Sequence, residues 1–274
     1  MTTVEAIRVS PEWLDLRESA DAAARSLDLV RQLRSRLPAG GRLVVHDLAS
    51  GSGSMGRWLA PLLPGPQHWI LHDRDPDLLT LAGATVPGPA ADGADITVET
   101  RPSDVTRLGR DELAGASLVT ASALLDLLTA DELLGLMRTC AGAGCPVVLT
   151  LSVTGRVQLR PADPLDARVA ASFDEHQRRV TPRGRKLGPD AVHAAIEGFR
   201  RLGAEVVVRP SPWRLGATDS DLAVEWLTGW VDAACEQEPS LAFAAELYRR
   251  RRLREAAAGA LAVIVGHADL LVLP

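Results

Sequence analysis

The sequence predicts an α/β protein built on a doubly wound, mainly parallel β-sheet of seven strands. Short apolar, β-rich runs alternate with segments of helical periodicity along most of the chain, and turn residues separate them. A glycine-rich loop joins the first strand to the helix that follows, which is where such folds bind ligands. With 274 residues, the chain is long enough to bury a substantial core.

The N-terminal segment is predicted to be helical. Apolar residues recur at three- and four-residue steps from Leu16 to Leu37, which is typical of an amphipathic helix. The Pro-Ala-Gly-Gly sequence that follows ends this helix. We therefore expect residues 1–40 to form a helical cap in front of a main domain that covers residues 41–274.

The first half of the main domain alternates between strands and helices. Leu43–Leu48 is a β-rich run, and a Gly/Ser turn and the helical stretch Met55–Leu63 follow it. Trp69–Asp73 predicts the second strand. Asp75 then supplies an N-cap, and Pro76 occupies the first position of the next helix.

The second half of the domain continues this alternation. Further strands are predicted at Ile96–Glu99, Ser117–Ala121, Val147–Leu151, Ala204–Arg209 and Leu261–Val265. Helices are predicted at Asp131–Ala141 and Pro189–Leu202. The last strand is apolar throughout, as expected for a strand buried on both faces, so we expect it to close the sheet.

Two segments are predicted as insertions outside the sheet. The first, at about 154–188, is charged and rich in proline, and it contains one short helix around Ala167–Arg178. The second, at about 214–258, contains helices at Leu222–Cys235 and Leu241–Ala258. Long insertions of this kind are often lids over a binding site.

Composition and charge narrow the classes of function. Hydrophobic residues form 46% of the chain and charged residues 24%, as in globular proteins. The net charge of −5 provides no general field for a phosphate backbone, so nucleic acid is not an expected partner. Because no apolar stretch is long enough to cross a bilayer and no apolar signal core is present, we expect a cytoplasmic protein without membrane association. The sequence leaves a homodimer open.

The cysteines and histidines predict no metal site. Cys140, Cys145 and Cys235 include no CxxC pair, and their spacing with the six histidines gives no zinc pattern. We expect the cysteines to be reduced thiols. His46 and His72 fall on predicted core strands, so we expect them to have structural roles.

The loop after the first strand carries the clearest ligand-binding signal. Its small residues let the backbone turn tightly and approach a ligand, and the next helix presents free N–H groups. A dinucleotide-binding loop would read GxGxxG, whereas Asp47, Ala49, Gly51 and Gly53 give DxAxGxG. This pattern resembles motif I of the class I S-adenosylmethionine-dependent methyltransferases. The alternative is that the glycines only shape a tight turn.

The resemblance, which covers about Leu43–Val153, implies a Rossmann-like methyltransferase fold with an antiparallel final strand and S-adenosylmethionine as cofactor. It assigns cofactor contacts to the loop residues Asp47, Ala49, Ser50, Gly51 and Gly53. In that family the motif usually has glycine where this chain has Ala49. A methyl group is tolerated there if the backbone φ is negative.

Two later acidic positions also match the family. Methyltransferases end their second strand with an acidic residue that binds both ribose hydroxyls, and Asp73 matches it, with Arg74 beside it. Asp75 is the competing carboxylate, but its place before a proline favours helix capping. Asp104 and Val105 resemble the adenine-binding turn, in which a carboxylate meets the exocyclic amine and a backbone amide meets the ring. Asp104 could instead be a simple Asx cap.

The fourth strand and the N-terminal helix complete the expected cofactor site. In the family, residues after the fourth strand lie beside the methionine moiety, which assigns Ala121 and Ser122. Asp126 either lines the site or belongs to the next helix and faces water. The polar face of the N-terminal helix could fold over the cofactor, where Arg25 would pair with its carboxylate, although a surface salt bridge is the alternative.

The insertions supply candidates for catalysis and acceptor binding. His176 is a candidate general base, because histidine is the side chain most often used for proton transfer near neutral pH, although an exposed, charged helix face is the alternative. Arg183 and Lys186 belong to a locally basic stretch that could orient a carboxylate or phosphate of a substrate. Trp226 and Trp230 could wall an acceptor pocket, but their i, i+4 spacing favours packing in the core.

The sequence therefore predicts an S-adenosylmethionine-dependent methyltransferase that acts on a small molecule, at oxygen. An RNA methyltransferase is one alternative, because local basic runs permit it. A protein that keeps the cofactor-binding fold without methylating is another, because fold does not determine chemistry. A dehydrogenase would need a loop that accepts a pyrophosphate, and the missing GxGxxG spacing argues against it.

Overall fold

A computed structural model describes residues 9–85 and 88–274, and an eight-stranded β-sheet lies at the centre of this part of the chain. The strands of this sheet are β1 Leu43–Leu48, β2 Gln67–Asp73, β3 Ile96–Pro102, β4 Leu118–Ser122, β5 Val147–Arg160, β8 Glu205–Pro210, β9 Trp213–Leu215 and β10 Ala262–Leu273. A separate hairpin contains β6 Val180–Thr181 and β7 Gly184–Arg185. The helices are α1 Pro11–Ala24, α2 Leu27–Arg34, α3 Ser54–Leu59, α4 Pro76–Ala84, α5 Ala130–Gly142, α6 Asp166–Gln177, α7 Ala191–Arg201, α8 Ser220–Gln237 and α9 Ala242–Ala257.

The strand order is β3-β2-β1-β4-β5-β10-β8, and β9 also pairs with β10. Strands β1 to β5 run parallel, whereas β10 runs antiparallel to β5 and β8. The predicted doubly wound, mainly parallel fold with an antiparallel final strand is therefore confirmed. The order of the strands reverses between β1 and β4, which creates a switch point at their carboxyl ends.

The sheet is buried on both faces by different helices. Val147 and Leu149 of β5 pack into the cluster that includes residues of α5 and α7, while Val148 packs into the cluster that includes residues of α2 and α3. Leu270 and Leu271 of β10 are divided between the same two clusters. Since successive side chains of a strand point to opposite faces, an uninterrupted apolar run serves both layers.

Strand β5 is longer than the sequence suggested. Residues 154–160 lie within the sheet and not in an insertion, because they pair with the first half of β10 in a register that joins Ala262 to Arg160. Val157 and Leu159 face a third apolar cluster, whereas Arg156, Gln158 and Arg160, which alternate with them, are exposed. This period-2 alternation is the signature of a strand with one exposed face. The predicted helix of the first insertion is confirmed as α6.

The N-terminal helix is broken where one continuous helix was expected. Ser26 separates α1 from α2, and its hydroxyl accepts a hydrogen bond from the Leu29 N–H at 3.3 Å. The Ser26 N–H donates to Asp269 Oδ2 at 2.8 Å, a residue 243 positions further along the chain. The break follows from this long-range bond together with the local cap.

Asp269 lies on β10 and is almost completely buried. Besides Ser26, its carboxylate accepts hydrogen bonds from the Leu151 N–H at 2.8 Å and from the Ser211 hydroxyl at 2.6 Å, both through Oδ1. Leu151 has a φ of 55°, in the left-handed region that leucine rarely adopts. One carboxylate thus joins the α1–α2 junction, the middle of β5 and the segment between β8 and β9.

The later helices form a third layer of core. Residues of α6, α8 and α9 pack against the extended ends of β5 and β10. Trp230 of α8 is buried there and its ring stacks on that of Trp226 at 5.1 Å, which confirms the predicted core role of Trp230. Within residues 9–85 and 88–274, no helix has the length and apolar character needed to span a membrane.

His46 and His72 are core residues, as expected. They are buried on β1 and β2, and Nδ1 of His46 lies 3.0 Å from Nε2 of His72. Burial lowers the pKa of each imidazole to about 4, so both rings are neutral at pH 7. Cys140, Cys145 and Cys235 are free thiols.

We predict that Asp269→Ala lowers the free energy of unfolding by about 3–5 kcal/mol, because it leaves buried N–H groups without an acceptor. Urea denaturation followed by circular dichroism measures the change. Asp95→Ala is the control, because Asp95 is exposed, and we expect a change within about 0.5 kcal/mol there. Equal effects of the two substitutions would contradict the role assigned to Asp269.

Candidate functional site

A cavity of about 640 Å³ lies at the carboxyl ends of the parallel strands. One wall comes from the loops after β1, β2, β3 and β4, and the other comes from α1, α6, α8, β5, β10 and the hairpin segment. A smaller cavity of about 60 Å³ shares part of this lining. The larger cavity brings together these residues predicted to contact the cofactor: Ala49, Gly51, Asp73, Arg74, Asp104, Val105 and Ser122. Asp47 and Ser50 line the smaller cavity.

The loop after β1 turns through three residues with positive φ. The values are 54° at Ala49, 53° at Gly51 and 86° at Gly53. The condition for tolerating a methyl group at Ala49, a negative φ, is therefore not met, and the methyl group is held in a conformation that usually selects glycine. Gly53 is the N-cap of α3 and does not line either cavity, so its role is to turn the chain into the helix.

Asp73 connects the end of β2 to the glycine loop. Its Oδ2 accepts a hydrogen bond from the Gly51 N–H at 2.8 Å, and its Oδ1 accepts one from the Asp75 N–H at 2.9 Å. Each carboxylate oxygen retains a further lone pair toward the cavity, where two ligand hydroxyls could donate. Asp75 caps α4 by accepting from the Asp77 N–H at 3.0 Å, which confirms its predicted role.

Asp104 follows β3 and lines the cavity beside Val105. Its Oδ1 accepts hydrogen bonds from the N–H and the hydroxyl of Thr106, at 3.0 and 2.7 Å. Asp104 therefore is an Asx cap, as the alternative interpretation had it, but it also presents its carboxylate to the cavity. Arg74, directly after Asp73, lines the same end of the cavity.

The smaller cavity contains polar atoms that lack partners within the described chain. Asp47 Oδ1 accepts a hydrogen bond from the Thr120 hydroxyl at 2.7 Å, but Oδ2 is buried with no partner, as is the Ser50 hydroxyl. Burial raises the pKa of Asp47 to about 7. A buried carboxylate oxygen without a donor is costly, so this cavity suits a ligand that carries a donor such as an ammonium group.

Arg25 is buried behind the smaller cavity and does not line it. One guanidinium nitrogen donates to the hydroxyls of Ser54 and Ser122, at 3.2 and 3.1 Å, and both serines line that cavity. Arg25 therefore positions two serine hydroxyls, and its own side chain lines neither cavity. Ala121 is buried in β4 and lines neither cavity.

His176 is not brought to the cavity. Three other residues of α6, namely Phe173, Asp174 and Gln177, line it, because they share one face of the helix. The His176 ring lies on another face, with Nε2 3.0 Å from a Glu236 carboxylate oxygen and Nδ1 3.2 Å from an Arg179 nitrogen. The predicted general base is therefore not positioned to take a proton from a molecule in the cavity.

Asp126 lines the cavity, and the structure decides between its two interpretations. It lies in a 3₁₀ turn, Leu125–Leu127, before α5 begins. Burial raises its pKa to about 6, opposed by the charges of Arg17 and Lys186. The one sequence signal for this role is an acidic residue inside a leucine-rich run shortly after β4.

Aromatic and apolar side chains line part of the larger cavity. Trp13, Trp213 and Trp226 contribute to it. The Trp213 indole N–H donates to Asp21 at 2.9 Å, which fixes the ring. His267 packs against Trp213 with ring centroids 5.2 Å apart, and burial lowers its pKa to about 3. This histidine was not among the sequence candidates, because it lies within an apolar strand.

No protein-family description and no protein of curated function matches this sequence. Solved structures resemble the chain at low identity. A methyltransferase from Geobacter sulfurreducens in complex with S-adenosyl-L-homocysteine is 16% identical over 97% of this chain and 98% of its own, with a TM-score of 0.45. One from Thiobacillus denitrificans with the same ligand is 14% identical over 97% and 99%, with a TM-score of 0.47. The cyclopropane synthase MmaA2 from Mycobacterium tuberculosis is 11% identical over 95% and 94%, with a TM-score of 0.48.

With TM-scores below 0.5, these matches carry no inference about what this chain binds or does. The residues around the cavity define what the site can bind. Those residues present carboxylates at the ends of successive strands, a backbone turn held by one of them, and apolar side chains in the same cavity. Such a site can bind a polar ligand with several hydrogen-bond donors next to an apolar molecule.

We predict that Ala49→Gly raises the free energy of unfolding by about 0.5–1 kcal/mol, because glycine adopts the positive φ without the Cβ clash. Thermal or urea denaturation measures it. Ala171→Gly is the matched control, since Ala171 is exposed within α6 and the same change there costs about 1 kcal/mol. Destabilisation of similar size at both positions would argue against strain at Ala49.

Proposed function

We propose that this chain is an S-adenosylmethionine-dependent methyltransferase that methylates a hydroxyl oxygen of a small-molecule acceptor. The observation that carries the proposal is the row of carboxylates at the ends of β1, β2 and β3, namely Asp47, Asp73 and Asp104, around one glycine loop. Their order agrees with the family resemblance in the sequence. Carboxylates would repel a pyrophosphate but accept hydrogen bonds from hydroxyl and amino groups, which favours the adenosyl cofactor over a dinucleotide.

The polar groups of the two cavities fit the parts of this cofactor. Asp73, with free lone pairs toward the cavity, would hold the ribose hydroxyls. Asp104 and the backbone of Val105 would hold the adenine. Asp47 and Ser50, whose buried oxygens lack partners in the described chain, would hold the ammonium end of the methionine moiety.

The bound cofactor would supply an electrophilic methyl group on its sulfonium. The task of the chain is then to align the acceptor, exclude water and take up a proton. We assign the proton to Asp126, which lines the cavity. A carboxylate with a pKa of about 6 is ionised at neutral pH yet basic enough to assist a reacting hydroxyl. This assignment replaces His176.

The arginine run at residues 249–252 supports a small-molecule acceptor over RNA. Each of its side chains pairs with a carboxylate: Arg249 with Asp232, Arg250 with Glu246, Arg251 with Asp163, and Arg252 with Asp166. Charges that are compensated in this way offer a phosphate backbone little attraction. The cavity of about 640 Å³ lies in the range of small-molecule sites.

Calorimetric titration with S-adenosylmethionine, S-adenosylhomocysteine and NAD tests the cofactor. We predict saturable binding of both adenosyl ligands and a loss of about 10–100-fold in affinity for Asp73→Ala, which removes an acceptor of ribose hydroxyls. Asp92→Ala is a matched control, because its carboxylate also accepts two backbone N–H groups, those of Gly65 and Ala94, but lies outside both cavities. Binding of NAD alone would overturn the proposal.

The pH dependence of kcat tests Asp126. We predict that kcat rises with pH through about 6 and is constant above it, because protonated Asp126 cannot accept a proton. Asp126→Asn should remove this limb and lower kcat by about 10²–10⁴-fold. Asp174→Asn is the control, since Asp174 lines the same cavity and burial raises its pKa to about 6 as well. S-adenosylhomocysteine release, with an acceptor found by screening hydroxylated compounds, is the measurement.

An unchanged limb in Asp126→Asn, or its loss in Asp174→Asn alone, would move the proton acceptor away from Asp126. Because the limb reports protonation, it separates a chemical role from loss of packing, which would lower kcat at every pH equally.

A further inference from the structure

The segment around the β6–β7 hairpin places three cations on the cavity wall: Arg179, Arg183 and Lys186. Backbone hydrogen bonds attach this segment to residues 128 and 129. Leu187 donates its N–H to the Leu128 carbonyl at 2.8 Å, and Lys186 forms an isolated bridge with Thr129. These anchors lie directly after the turn that carries Asp126, so the three cations line the cavity beside that turn.

The structure divides the basic residues of this insertion into two groups. The outward group does not line the cavity, and each member has a carboxylate partner: Arg168 with Glu238, Arg178 with Asp190, and Arg185 with Glu175. Such compensated pairs are ordinary surface ion pairs. The inward group lines the cavity and is only partly compensated. The sequence shows basic residues throughout this insertion, but only those of the outward group are all paired with carboxylates.

Lys186 is the member of the inward group that lacks compensation most clearly. Its ammonium has no hydrogen bond or ion pair within residues 9–85 and 88–274, and the side chain is half-buried. Burial lowers its pKa, Arg179, Arg183 and Arg74 lower it further, and only Asp126 raises it. Three cations therefore act on Lys186 against one carboxylate, which leaves a positive potential in this part of the cavity.

The neighbours of Lys186 on the wall are also incompletely paired. Arg179 donates to the ring and the carbonyl of His176, at 3.2 and 3.1 Å, and to no carboxylate in the described chain. Arg183 contacts Glu132 at 3.1 Å, which holds it against the start of α5. An anionic ligand that enters the cavity would stabilise a half-buried cation of this kind more than it would stabilise a cation that already has a carboxylate partner.

Apolar surface lies next to these cations. Phe173, Leu127 and Trp226 line the same cavity and can pack against the apolar part of a ligand. We propose that Lys186, with Arg179 and Arg183, binds the carboxylate of a largely apolar hydroxy acid, and that the hydroxyl of this acid is the methyl acceptor. The assignment of the acceptor rests on the proposed methyl transfer, whereas the anion site stands on the cavity alone.

A pair of fluorescent probes tests the anion site without any methyl transfer. 8-Anilinonaphthalene-1-sulfonate and N-phenyl-1-naphthylamine share one ring system, and only the first carries an anion. Both become fluorescent in apolar pockets. We expect the anionic probe to bind at least tenfold more tightly than the neutral one at pH 7.5, and the preference to decline with added salt.

Variants at residues 185 and 186 locate the effect. Lys186→Met should lower the affinity for the anionic probe at least tenfold and leave the affinity for the neutral probe unchanged. An unchanged neutral probe also shows that the pocket is intact. Lys186→Arg should retain the affinity. Arg185→Gln, on the same hairpin but outside the cavity, should change neither probe. Asp126→Asn should tighten the anionic probe, because it removes the opposing carboxylate.

Equal affinities of the two probes, an unchanged anionic probe in Lys186→Met, or equal losses in Lys186→Met and Arg185→Gln would overturn the proposal. Titration of the same proteins with S-adenosylhomocysteine is a separate measurement. If this ligand fails to bind while the anionic probe depends on Lys186, the methyltransferase assignment falls and the anion site stands. If S-adenosylhomocysteine binds while the affinity of the anionic probe does not depend on Lys186, the anion site falls and the methyltransferase assignment stands.

Discussion

The Asp269 carboxylate is the interaction on which the arrangement of the two cavities depends. It accepts the N–H groups of Ser26 and Leu151 and the hydroxyl of Ser211, and it is buried where these segments meet. The break after α1 positions that helix over the glycine loop, and the bond to β5 falls where the strand leaves the parallel sheet and enters its extension. Elements from both walls of the larger cavity are therefore held in place by hydrogen bonds to one residue of β10.

The sequence predicted the layers well, because apolar periodicity reports local geometry. The bounds of β1 and the cap at Asp75 were correct, since they depend on neighbours in the chain. The break at Ser26 was missed, because it needs an acceptor 243 positions away. The extension of β5 was missed for a different reason: its alternation around Val157 is visible, but charge and proline nearby suggested a loop.

The candidate site divides in the same way. The family resemblance assigned Asp73, Asp104 and Ser122, and the structure brings them to one cavity because the carboxyl ends of parallel strands meet at one edge of a sheet. His176 could not be placed, because choosing which face of α6 turns inward requires its packing partners. Asp126 carries only a weak local signal and His267 carries none, so only the assembled cavity walls give them a role.

The cavity is lined by residues near both ends of the sequence, from Trp13 on α1 to His267 on β10, and by residues of β2, α4, β4, β5, α6, β9 and α8 between them. No fragment of the chain could build it. A molecule that binds there therefore binds the fully assembled fold and stabilises the whole of it against unfolding, by about 2.7 kcal/mol at a concentration of 100 times Kd. A ligand that donates a hydrogen bond to the unpartnered oxygen of Asp47 would add to this stabilisation, so binding and folding would be linked through one buried carboxylate.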